Sequence, residues 1–325
     1  MTAPTIEARG EVWPLKETFV ISRGAKTAAE VVVATVSDGN HQGRGEAVPY
    51  ARYGETVSGV LDDIRRVAGN VASRTDLANE LKPGAALNAL DCAFWDLESK
   101  RTGVRVSQLA GLGVPIAKTT AFTLSLDAPA TMAEKAVQAS HLSLLKLKLG
   151  GAGDDARMRA VRAARPDARL LVDANEAWTL ETIGHLISVA AECGIELIEQ
   201  PLPADLDEAL HGVDRRVPIC ADESVHTAAD IPRLAALYGA VNVKLDKAGG
   251  LTGAIALVRE ARRRDLKIMV GSMVATSLAV APAMMLATEA DWIDLDGPLL
   301  LAHDREHGMR VENGVVYPPD PELWG

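Results

Sequence analysis

From residue 119 onward, short apolar segments alternate along the chain with segments in which apolar residues recur at helical spacing. The eight apolar segments, which we interpret as strands, are 119–125, 144–149, 169–174, 195–200, 218–223, 240–245, 267–272 and 292–297. Helices are predicted in the gaps, for example over 154–164, 180–193 and 253–264. Because strands that alternate with helices form parallel sheets, the pattern predicts an α/β fold closed as a (β/α)8-type barrel, a modified TIM barrel.

The first part of the chain has a different pattern, in which strands are followed by helices. Strands are predicted over 12–15, 19–21, 30–36 and 45–48, and helices over 57–72 and 85–100. A break is expected near the glycines and proline of 111–116. We therefore expect an N-terminal α+β domain over 1–117, a barrel domain over 118–302, and a C-terminal segment over 303–325 that returns to the N-terminal domain.

Composition and charge narrow the class of protein. The chain has 325 residues, 48% of them hydrophobic, and a net charge of −10, which gives no electrostatic reason to expect nucleic acid or an anionic membrane as partner. The three cysteines lie far apart in apolar contexts, as expected for reduced thiols in the cytoplasm. No signal peptide is recognisable at the start of the sequence, and no apolar run approaches the roughly 20 residues that span a bilayer. The oligomeric state, including a homo-oligomer, is left open.

Charged residues stand at the carboxyl ends of successive predicted strands. Lys148, Asp173, Glu199, Asp222 and Lys247 follow one another at intervals of 23 to 26 residues, so each strand–helix unit delivers one charge to the same rim. In barrels this rim carries the active site. A single aspartate at such a position is often a helix N-cap, but three consecutive strands that end in carboxylates indicate a functional cluster.

Three converging carboxylates repel one another unless some are protonated or a cation lies among them. An all-oxygen set without histidine or cysteine favours Mg²⁺, with positions left for water or substrate. The segment His303-Asp304-Arg305-Glu306-His307 formally matches a zinc-protease pattern. It lies in the tail without helical periodicity or a third ligand, so we interpret it as a solvated polar segment.

Lysines flank the carboxylates in the predicted ring of strands. Lys146 and Lys148 lie on one face of the second strand, where mutual repulsion and desolvation favour a neutral amine that could act as a base. Lys247 follows the sixth strand, on the opposite side of the ring. Asp294 and Asp296 share one face of the eighth strand and suit a cation. The expected substrate has a carboxylate for the metal, an acidic C–H between the lysines, and an ammonium group for the aspartates.

These motifs resemble the enolase superfamily, its muconate-lactonizing subgroup and, within it, the dipeptide epimerases. The resemblance rests on Lys146-x-Lys148, Asp173-Ala174-Asn175, Glu199-Gln200-Pro201, Asp222-Glu223-Ser224, Lys244-Leu245-Asp246-Lys247 and Asp294-Leu295-Asp296. It extends to the N-terminal domain, where Ile21-Ser22-Arg23, Arg52-Tyr53-Gly54-Glu55 and 89–97 resemble the family's capping domain. It implies inversion of the α-carbon of a dipeptide's C-terminal residue, with substrates such as L-Ala-D/L-Glu from murein peptides.

The resemblance also implies roles for individual residues. Lys148 and Lys247 would be the two acid/base groups and Lys146 would tune Lys148. Asp173, Glu199 and Asp222 would bind one Mg²⁺ per subunit, which stabilises the enediolate formed when the α-proton leaves. Asp294 and Asp296 would hold the ammonium group of the dipeptide. Arg23 would pair with a glutamate side chain, with Lys26 as a second cation in the same loop, and Ser272 and Thr276 could line the pocket.

Alternatives differ in their chemistry. N-acylamino acid racemases, o-succinylbenzoate synthases and cycloisomerases share the lysine and metal motifs but not the paired aspartates. Gly151-Ala152-Gly153 with Ala156 and Asp173 formally matches a dinucleotide fingerprint, although Asp154 and Asp155 would repel a pyrophosphate at that helix end. A barrel lysine could instead form a Schiff base, as in an aldolase-like lyase, but the carboxylate series has no purpose in that mechanism. A binding protein without catalytic activity is also considered, although clustered buried charges have an evident stability cost.

Overall fold

The computed structural model describes residues 4–325. The N-terminal part is an antiparallel sheet in the order β1-β2-β3, comprising β1 (Thr5–Ile21), β2 (Gly24–Ser37) and β3 (Gln42–Ala47). Its helices are α1 (Val57–Val67), α2 (Leu77–Glu80), α3 (Ala85–Thr102) and α4 (Val106–Leu109), with one-turn 3-10 helices at Ala51–Tyr53 and Arg74–Asp76. The α+β prediction is confirmed. The two strands predicted over 12–15 and 19–21 are parts of the single strand β1, whose register shifts between Pro14 and Phe19.

Backbone-to-backbone packing holds α3 on the sheet. Gly43 and Gly45 of β3 face this helix, and a Cβ added to Gly43 would lie 2.1 Å from the carbonyl oxygen of Ala93. At Gly45 it would lie 2.2 Å from that of Ala89. Only glycine permits so close an approach, which explains why a strand with the sequence Gln-Gly-Arg-Gly-Glu-Ala contains two residues of low strand propensity.

Eight parallel strands form the second sheet, as predicted. In chain order they are β5 (Phe122–Leu124), β6 (Leu144–Lys148), β7 (Arg169–Asp173), β8 (Ile195–Glu199), β9 (Ile219–Ala221), β10 (Ala240–Lys244), β11 (Lys267–Gly271) and β12 (Trp292–Asp294), and each pairs with the next. A parallel bridge between Thr120 and Ile293 closes the ring. The barrel is preceded by β4 (Lys118–Thr119).

Helices connect the barrel strands and cover their outer surface. They are α5 (Pro129–Gln138), α6 (Asp154–Ala164), α7 (Ile183–Glu192), α8 (Ile231–Leu234), α9 (Leu245–Ala248), α10 (Leu251–Arg262), α11 (Ser277–Ala283) and α12 (Gly297–Leu300). One-turn to two-turn 3-10 helices lie at Ala204–Leu210, Ala228–Asp230 and Met284–Leu286. Within residues 4–325, no helix combines the length and apolar character needed to cross a membrane.

The barrel interior changes from apolar to polar along the strands. Its lower layer contains eight buried side chains, one in or next to each barrel strand: Ala121, Leu144, Leu171, Leu197, Cys220, Ala240, Met269 and Trp292. Since side chains alternate with a period of two, the residue two positions later in each strand also points inward. Those residues are Thr123, Lys146, Asp173, Glu199, Asp222, Asn242, Gly271 and Asp294. The apolar layer therefore separates a charged layer from the bottom of the barrel.

The C-terminal segment returns to the N-terminal domain, as predicted. Its hairpin, β13 (Val311–Glu312) with β14 (Val315–Val316), pairs with β4. Beyond it, the buried Trp324 donates from Nε1 to the carbonyl oxygen of Cys92 at 3.0 Å, and Arg44 Nη2 donates to that of Leu323 at 3.0 Å. The boundaries 1–117, 118–302 and 303–325 remain a prediction.

The tail segment flanked by His303 and His307 connects the N-terminal domain, which we call the cap, to the barrel. Arg305 donates from Nη2 to Glu46 of β3 and to Glu11 of β1, both at 2.6 Å. Asp304 accepts the backbone N–H of Ser277 at the start of α11 at 3.0 Å. The ring of His303 lies 5.2 Å from that of Trp13, and His307 Nδ1 lies 3.0 Å from a carboxylate oxygen of Glu322. The segment is thus only partly solvated, because its central residues form interdomain contacts.

We expect Gly43→Ala to lower the free energy of unfolding by about 2–3 kcal/mol, because the added methyl group overlaps the backbone of α3. Gly184→Ala is the matched control, since nothing lies within 4 Å of a Cβ at this exposed helical position. The control should be neutral or slightly stabilising. Urea denaturation measures both effects, and equal stability of the two variants would contradict the close packing.

Candidate active site

A cavity of about 460 Å³ lies between the carboxyl ends of the barrel strands and the cap. The cap contributes the β1–β2 turn and the 3-10 helix at Ala51–Tyr53. Seven of the residues predicted from sequence line the cavity: Arg23, Lys146, Lys148, Asp222, Ser272, Asp294 and Asp296. Asp173 and Glu199 lie deeper and are at most 1% exposed. The structure thus brings residues from the cap and from six barrel strands to one place.

Lysine ammonium groups lie among the three carboxylates. Lys146 Nζ lies 2.5 Å from Glu199, 2.7 Å from Asp294 and 3.1 Å from Asp173. Lys148 Nζ donates to Asp173 at 2.6 Å. Each of these groups is buried, so each charge depends on its neighbours rather than on water.

The sequence left open which of Lys146 and Lys148 would be a neutral amine, and the surroundings of Lys146 oppose that form for this residue. Burial favours the uncharged form, but the attraction of Asp294, Glu199 and Asp173 outweighs it and raises the pKa of Lys146 well above its usual value. Burial likewise opposes ionisation of Asp173, and Lys148 and Lys146 outweigh it to hold the pKa of Asp173 well below its ordinary value. Lys146 is therefore not the neutral member of the lysine pair, because the strand-end carboxylates stabilise its charge.

The structure places Lys244, and not the predicted Lys247, at the cavity. Lys247 lies in α9, outside the cavity, and donates to the backbone oxygen and Oδ1 of Asp222, both at 2.5 Å. Lys244 is two residues beyond Asn242 on β10, so it points inward, and it lines the cavity with Nζ 2.6 Å from Asp222 Oδ2. The constant interval between strand ends led to the prediction of Lys247, whereas period-2 alternation within β10 places Lys244 on the inward face.

The three carboxylates form a donor set that fits a hard divalent cation. Strand register places Asp173 beside Glu199, and Asp222 lies two residues beyond the partner of Glu199 on β9. Glu199 Oε2 has no partner with hydrogen-bond geometry, although the Lys146 ammonium lies nearby. Burial, reinforced by repulsion from Asp173, raises the pKa of Glu199 to about 8. In residues 4–325, no three carboxylate, histidine or cysteine side chains already surround one common position, because lysines lie between them.

Asp294 and Asp296 form an acidic wall of the cavity. Asp296 accepts the backbone N–H of Thr123 at 2.7 Å, and Asp294 Oδ1 is buried without a hydrogen-bond partner. Burial and repulsion from Asp294 raise the pKa of Asp296 to about 7. A bound cation here would relieve both the repulsion and the unpaired oxygen.

The remaining predicted residues have different surroundings. Arg23 lies at the cavity edge and is paired with Glu223 at 2.6 Å and Glu176 at 3.2 Å. Ser272 lines the cavity, and its buried hydroxyl has no hydrogen-bond partner. Thr276 does not line the cavity. Its hydroxyl donates to Glu46 at 2.5 Å and accepts the N–H of Leu278 in a helix cap.

Two further polar groups at the cavity were not predicted as site residues. Asn175 Oδ1 and Glu223 Oε2 are buried, lack a hydrogen-bond partner, and belong to residues that line the cavity. Asn175 has a positive φ of 45°, a conformation that costs energy for a residue other than glycine. Unpaired buried groups and a strained backbone together indicate binding positions. Their location within the recognised strand-end motifs is the signal that could have identified them.

The glycine-rich segment before α6 does not present free N–H groups for a pyrophosphate. Asp154 accepts the backbone N–H groups of Gly150 at 3.0 Å and Gly151 at 2.7 Å, and it also accepts Trp178 Nε1 at 2.9 Å. The carboxylate therefore occupies the donors that a dinucleotide would need.

Family models match both parts of the chain. The mandelate racemase / muconate lactonizing enzyme N-terminal domain matches residues 4–111, and the enolase C-terminal domain-like model matches residues 129–322. The chain therefore belongs to the mandelate racemase/muconate lactonizing enzyme family of the enolase superfamily.

Individual relatives within this family cover nearly the whole chain. The chain is 41% identical to the L-Ala-D/L-Glu epimerase of Escherichia coli K12, over 96% of this chain and 99% of the relative. It is 40% identical to an N-acetyl-D-glutamate racemase of a Pseudoalteromonas species, over 91% and 95%. Both relatives are enzymes that invert a carbon centre of an amino acid derivative.

Solved structures of related enzymes also match nearly the whole chain. An enolase family member from Agrobacterium tumefaciens, described as homologous to dipeptide epimerases and solved with sodium and L-Ala-L-Glu, is 49% identical with a TM-score of 0.97. The match covers 99% of this chain and 100% of that one. A dipeptide epimerase from Cytophaga hutchinsonii, solved with Mg and D-Ala-L-Val, is 27% identical with a TM-score of 0.92, over 98% and 94%.

Asp246, which lies between Lys244 and Lys247, gives a prediction on pH dependence. Its Oδ1 accepts the N–H of Val48 and the amide of Asn88, both at 2.9 Å, and burial raises its pKa to about 7. Between about pH 4 and pH 7 the folded state keeps a proton that the unfolded state has lost. The contribution of this group to stability is therefore complete at low pH and decreases as pH rises through 7.

Asp246→Asn removes this titration while the amide oxygen can still accept both hydrogen bonds. We expect the stability of the variant relative to wild type to increase by about 2–3 kcal/mol between pH 5 and pH 8. Urea denaturation at the two pH values gives the difference. A difference that does not change with pH would contradict the raised pKa.

Proposed function

We propose that this protein is a Mg²⁺-dependent dipeptide epimerase that inverts the α-carbon of the C-terminal residue, with L-Ala-D/L-Glu as the favoured substrate class. The observation that carries the proposal is a pair of buried lysines, Lys148 and Lys244, at the ends of the second and sixth of eight barrel strands. These strands lie on opposite sides of the ring. The relatives that act on such dipeptides support the proposal. Three buried free cysteines are consistent with a reducing cytoplasm.

Inversion requires proton transfer on two opposite faces of one carbon. In our proposal, one lysine in its amine form removes the α-proton, and the opposite lysine in its ammonium form returns a proton to the other face. Burial opposes a charge on Lys244, but Asp222 and Glu199 outweigh it and raise its pKa well above the usual value, which suits a proton donor. The roles of the two lysines exchange for the opposite epimer.

Asp173, Glu199 and Asp222 would hold the metal ion, and Lys146 and Lys247 would balance the negative charge of these carboxylates. A bound Mg²⁺ supplies positive charge that stabilises the charge developing on the substrate carboxylate as the α-proton leaves. Asp294 and Asp296 would hold the ammonium group of the dipeptide, and Ser272 would donate a hydrogen bond to the substrate. The lysines and carboxylates among these groups are buried, which strengthens their electrostatic interactions.

The proposal is tested by incubating the protein with L-Ala-L-Glu and Mg²⁺ in D₂O and measuring deuterium at the α-carbon and epimer composition. We expect exchange with inversion, lost on EDTA treatment and restored by Mg²⁺. Lys148→Ala and Lys244→Ala should each lower epimerisation by about 10²–10⁴-fold. At least one variant should still exchange the α-proton of one epimer without inverting it.

The alternative assignments predict different outcomes of this experiment. If Lys247 rather than Lys244 were the second base, Lys244→Ala would retain two-way epimerisation. A panel of L,L-dipeptides without any exchange would exclude the epimerase function itself. Trapping of a covalent adduct with borohydride would instead favour a Schiff-base lyase.

A racemase of N-acylated amino acids is the second candidate, because one relative at 40% identity acts on N-acetyl-D-glutamate. The acidic wall of Asp294 and Asp296 distinguishes the dipeptide epimerase from this racemase, because a free dipeptide carries an ammonium group and an N-acylated amino acid does not. Asp296→Asn should lower kcat/KM for L-Ala-L-Glu by about 30- to 1000-fold, equivalent to about 2–4 kcal/mol for a charge-assisted contact. The same variant should lose far less activity on N-acetyl-L-Ala-L-Glu, which wild type should process poorly. Equal losses on both substrates would favour the racemase.

A further inference from the structure

Asp222 differs from the other two carboxylates of the cluster in how the sheet holds it. Asp173 and Glu199 are the last residues of β7 and β8 and are paired with each other in the sheet. β9 ends one residue earlier, at Ala221, so Asp222 lies beyond the last paired position of its strand. Its backbone, and with it the direction of its carboxylate, therefore depends on contacts outside the sheet.

Side chains hold the backbone of Asp222 on both sides. Its N–H donates to Gln200 Oε1 at 2.8 Å, and its carbonyl oxygen accepts a hydrogen bond from Lys247 Nζ at 2.5 Å. The same Gln200 oxygen accepts the N–H of Ser224 at 3.2 Å. Gln200 thus provides for Asp222 the kind of contact that a neighbouring strand provides for the other two carboxylates.

The backbone of Gln200 is bonded to the neighbouring strand-end segments as well. Gln200 directly follows Glu199, its carbonyl oxygen accepts the N–H of Glu176 at 2.8 Å, and its N–H donates to the carbonyl oxygen of Cys220 at 2.9 Å. It is fully buried and has a positive φ of 33°, a conformation that persists only where the surroundings impose it. One residue therefore connects the segment after β7, the end of β8 and the segment after β9.

A buried polar network holds the amide group of Gln200. Its Nε2 lies 2.8 Å from Ser224 Oγ, 3.0 Å from Tyr238 Oη and 3.0 Å from the carbonyl oxygen of Leu202. Both hydroxyl groups donate their protons to Asp207 Oδ1, from Ser224 at 2.6 Å and from Tyr238 at 2.5 Å. Because their protons point to this carboxylate, the two hydroxyl oxygens are free to accept the amide N–H groups of Gln200.

Asp207 anchors this network from outside the cavity. It lies in the 3-10 helix at Ala204–Leu210, is 1% exposed, and accepts a hydrogen bond from Arg233 Nη1 at 2.8 Å on its other oxygen. Burial, together with the Asp207 carboxylate, raises the pKa of Tyr238, so its hydroxyl keeps the proton that it donates. A buried network in which each member is hydrogen-bonded is rigid. None of its members lines the cavity, so it can act on the reaction only through the residues that it holds in place.

We propose that Gln200, anchored by Asp207 through the hydroxyls of Ser224 and Tyr238, is a positioning residue that holds Asp222 in the geometry required for Mg²⁺. The inference rests on the proposed function, in which Asp222 is a ligand of the metal. Mg²⁺ requires nearly ideal octahedral positions, whereas Ca²⁺ accepts irregular ones. A loosened Asp222 should therefore weaken Mg²⁺ binding more than Ca²⁺ binding, which the loss of a ligand or of overall stability would not do.

The test is calorimetry of the purified protein with Mg²⁺ alone and with Ca²⁺ alone. Gln200→Met has a similar length but cannot accept the N–H of Asp222. We expect it to raise the Kd for Mg²⁺ by about 10–100-fold and the Kd for Ca²⁺ by less than about threefold. Asp222→Asn, which alters the ligand itself, should weaken the binding of both ions by at least about tenfold. Gly43→Ala is the control for lower stability, and it should keep both Kd values within about twofold of wild type.

Thermal unfolding without metal shows whether each variant is folded. If Gln200→Met is not, Ser224→Ala is the second variant, because it removes one anchor of the amide group, and it should raise the Kd for Mg²⁺ at least about threefold. A folded Gln200→Met or, in its place, Ser224→Ala variant that binds Mg²⁺ as wild type does would overturn the inference and leave the proposed function intact. Equal losses for Mg²⁺ and Ca²⁺ in Gln200→Met would also overturn it. A wild type that binds no Mg²⁺ would overturn the inference together with the metal site of the proposed function.

Discussion

The burial of many charges inside one barrel is the constraint on which the structure depends. Lys146, Asp173 and Glu199 are each at most 1% exposed, so water contributes little to their stability. An unpaired charge in this environment costs several kcal/mol, whereas a lysine between carboxylates is stable. The apolar layer below these residues keeps water out from one side and the cap does so from the other. Removing a single member would leave its partners buried without a counter-charge.

Polar contacts between cap and barrel make the two parts depend on each other. Arg305 of the tail connects Glu46 and Glu11 of the cap to the loop before α11. Asp246 of α9, which follows Lys244, accepts hydrogen bonds from Val48 and Asn88 of the cap. Asp91 of α3 accepts the backbone N–H of Thr252, in the first turn of α10, at 2.9 Å. The cap therefore positions the segment after β10, which contains Lys244 and Lys247, and the loop after β11. Its role is not limited to covering the cavity.

Chemistry and specificity have separate structural sources in this molecule. The groups proposed to move protons or bind metal lie on rigid strand ends, where packing fixes their direction. The groups that face the remaining substrate side chain lie on the β1–β2 turn and the 3-10 helix of the cap. Changes in these cap segments can alter the preferred substrate without disturbing the strands. A family that shares the barrel while acting on different amino acid derivatives is consistent with this separation.

The sequence determined the eight strands, the α+β cap, the inward carboxylates and Lys148, because apolar alternation and strand-end spacing are local properties. It did not distinguish Lys244 from Lys247, since a regular interval cannot tell that β10 ends at Lys244 and that a helical turn follows. It also did not show which of Lys146 and Lys148 keeps its charge, or that Arg23 is paired within the protein. Both features have the same physical cause. The partners of these groups, Asp294 for Lys146 and Glu223 for Arg23, are distant in sequence, and only tertiary structure brings them together.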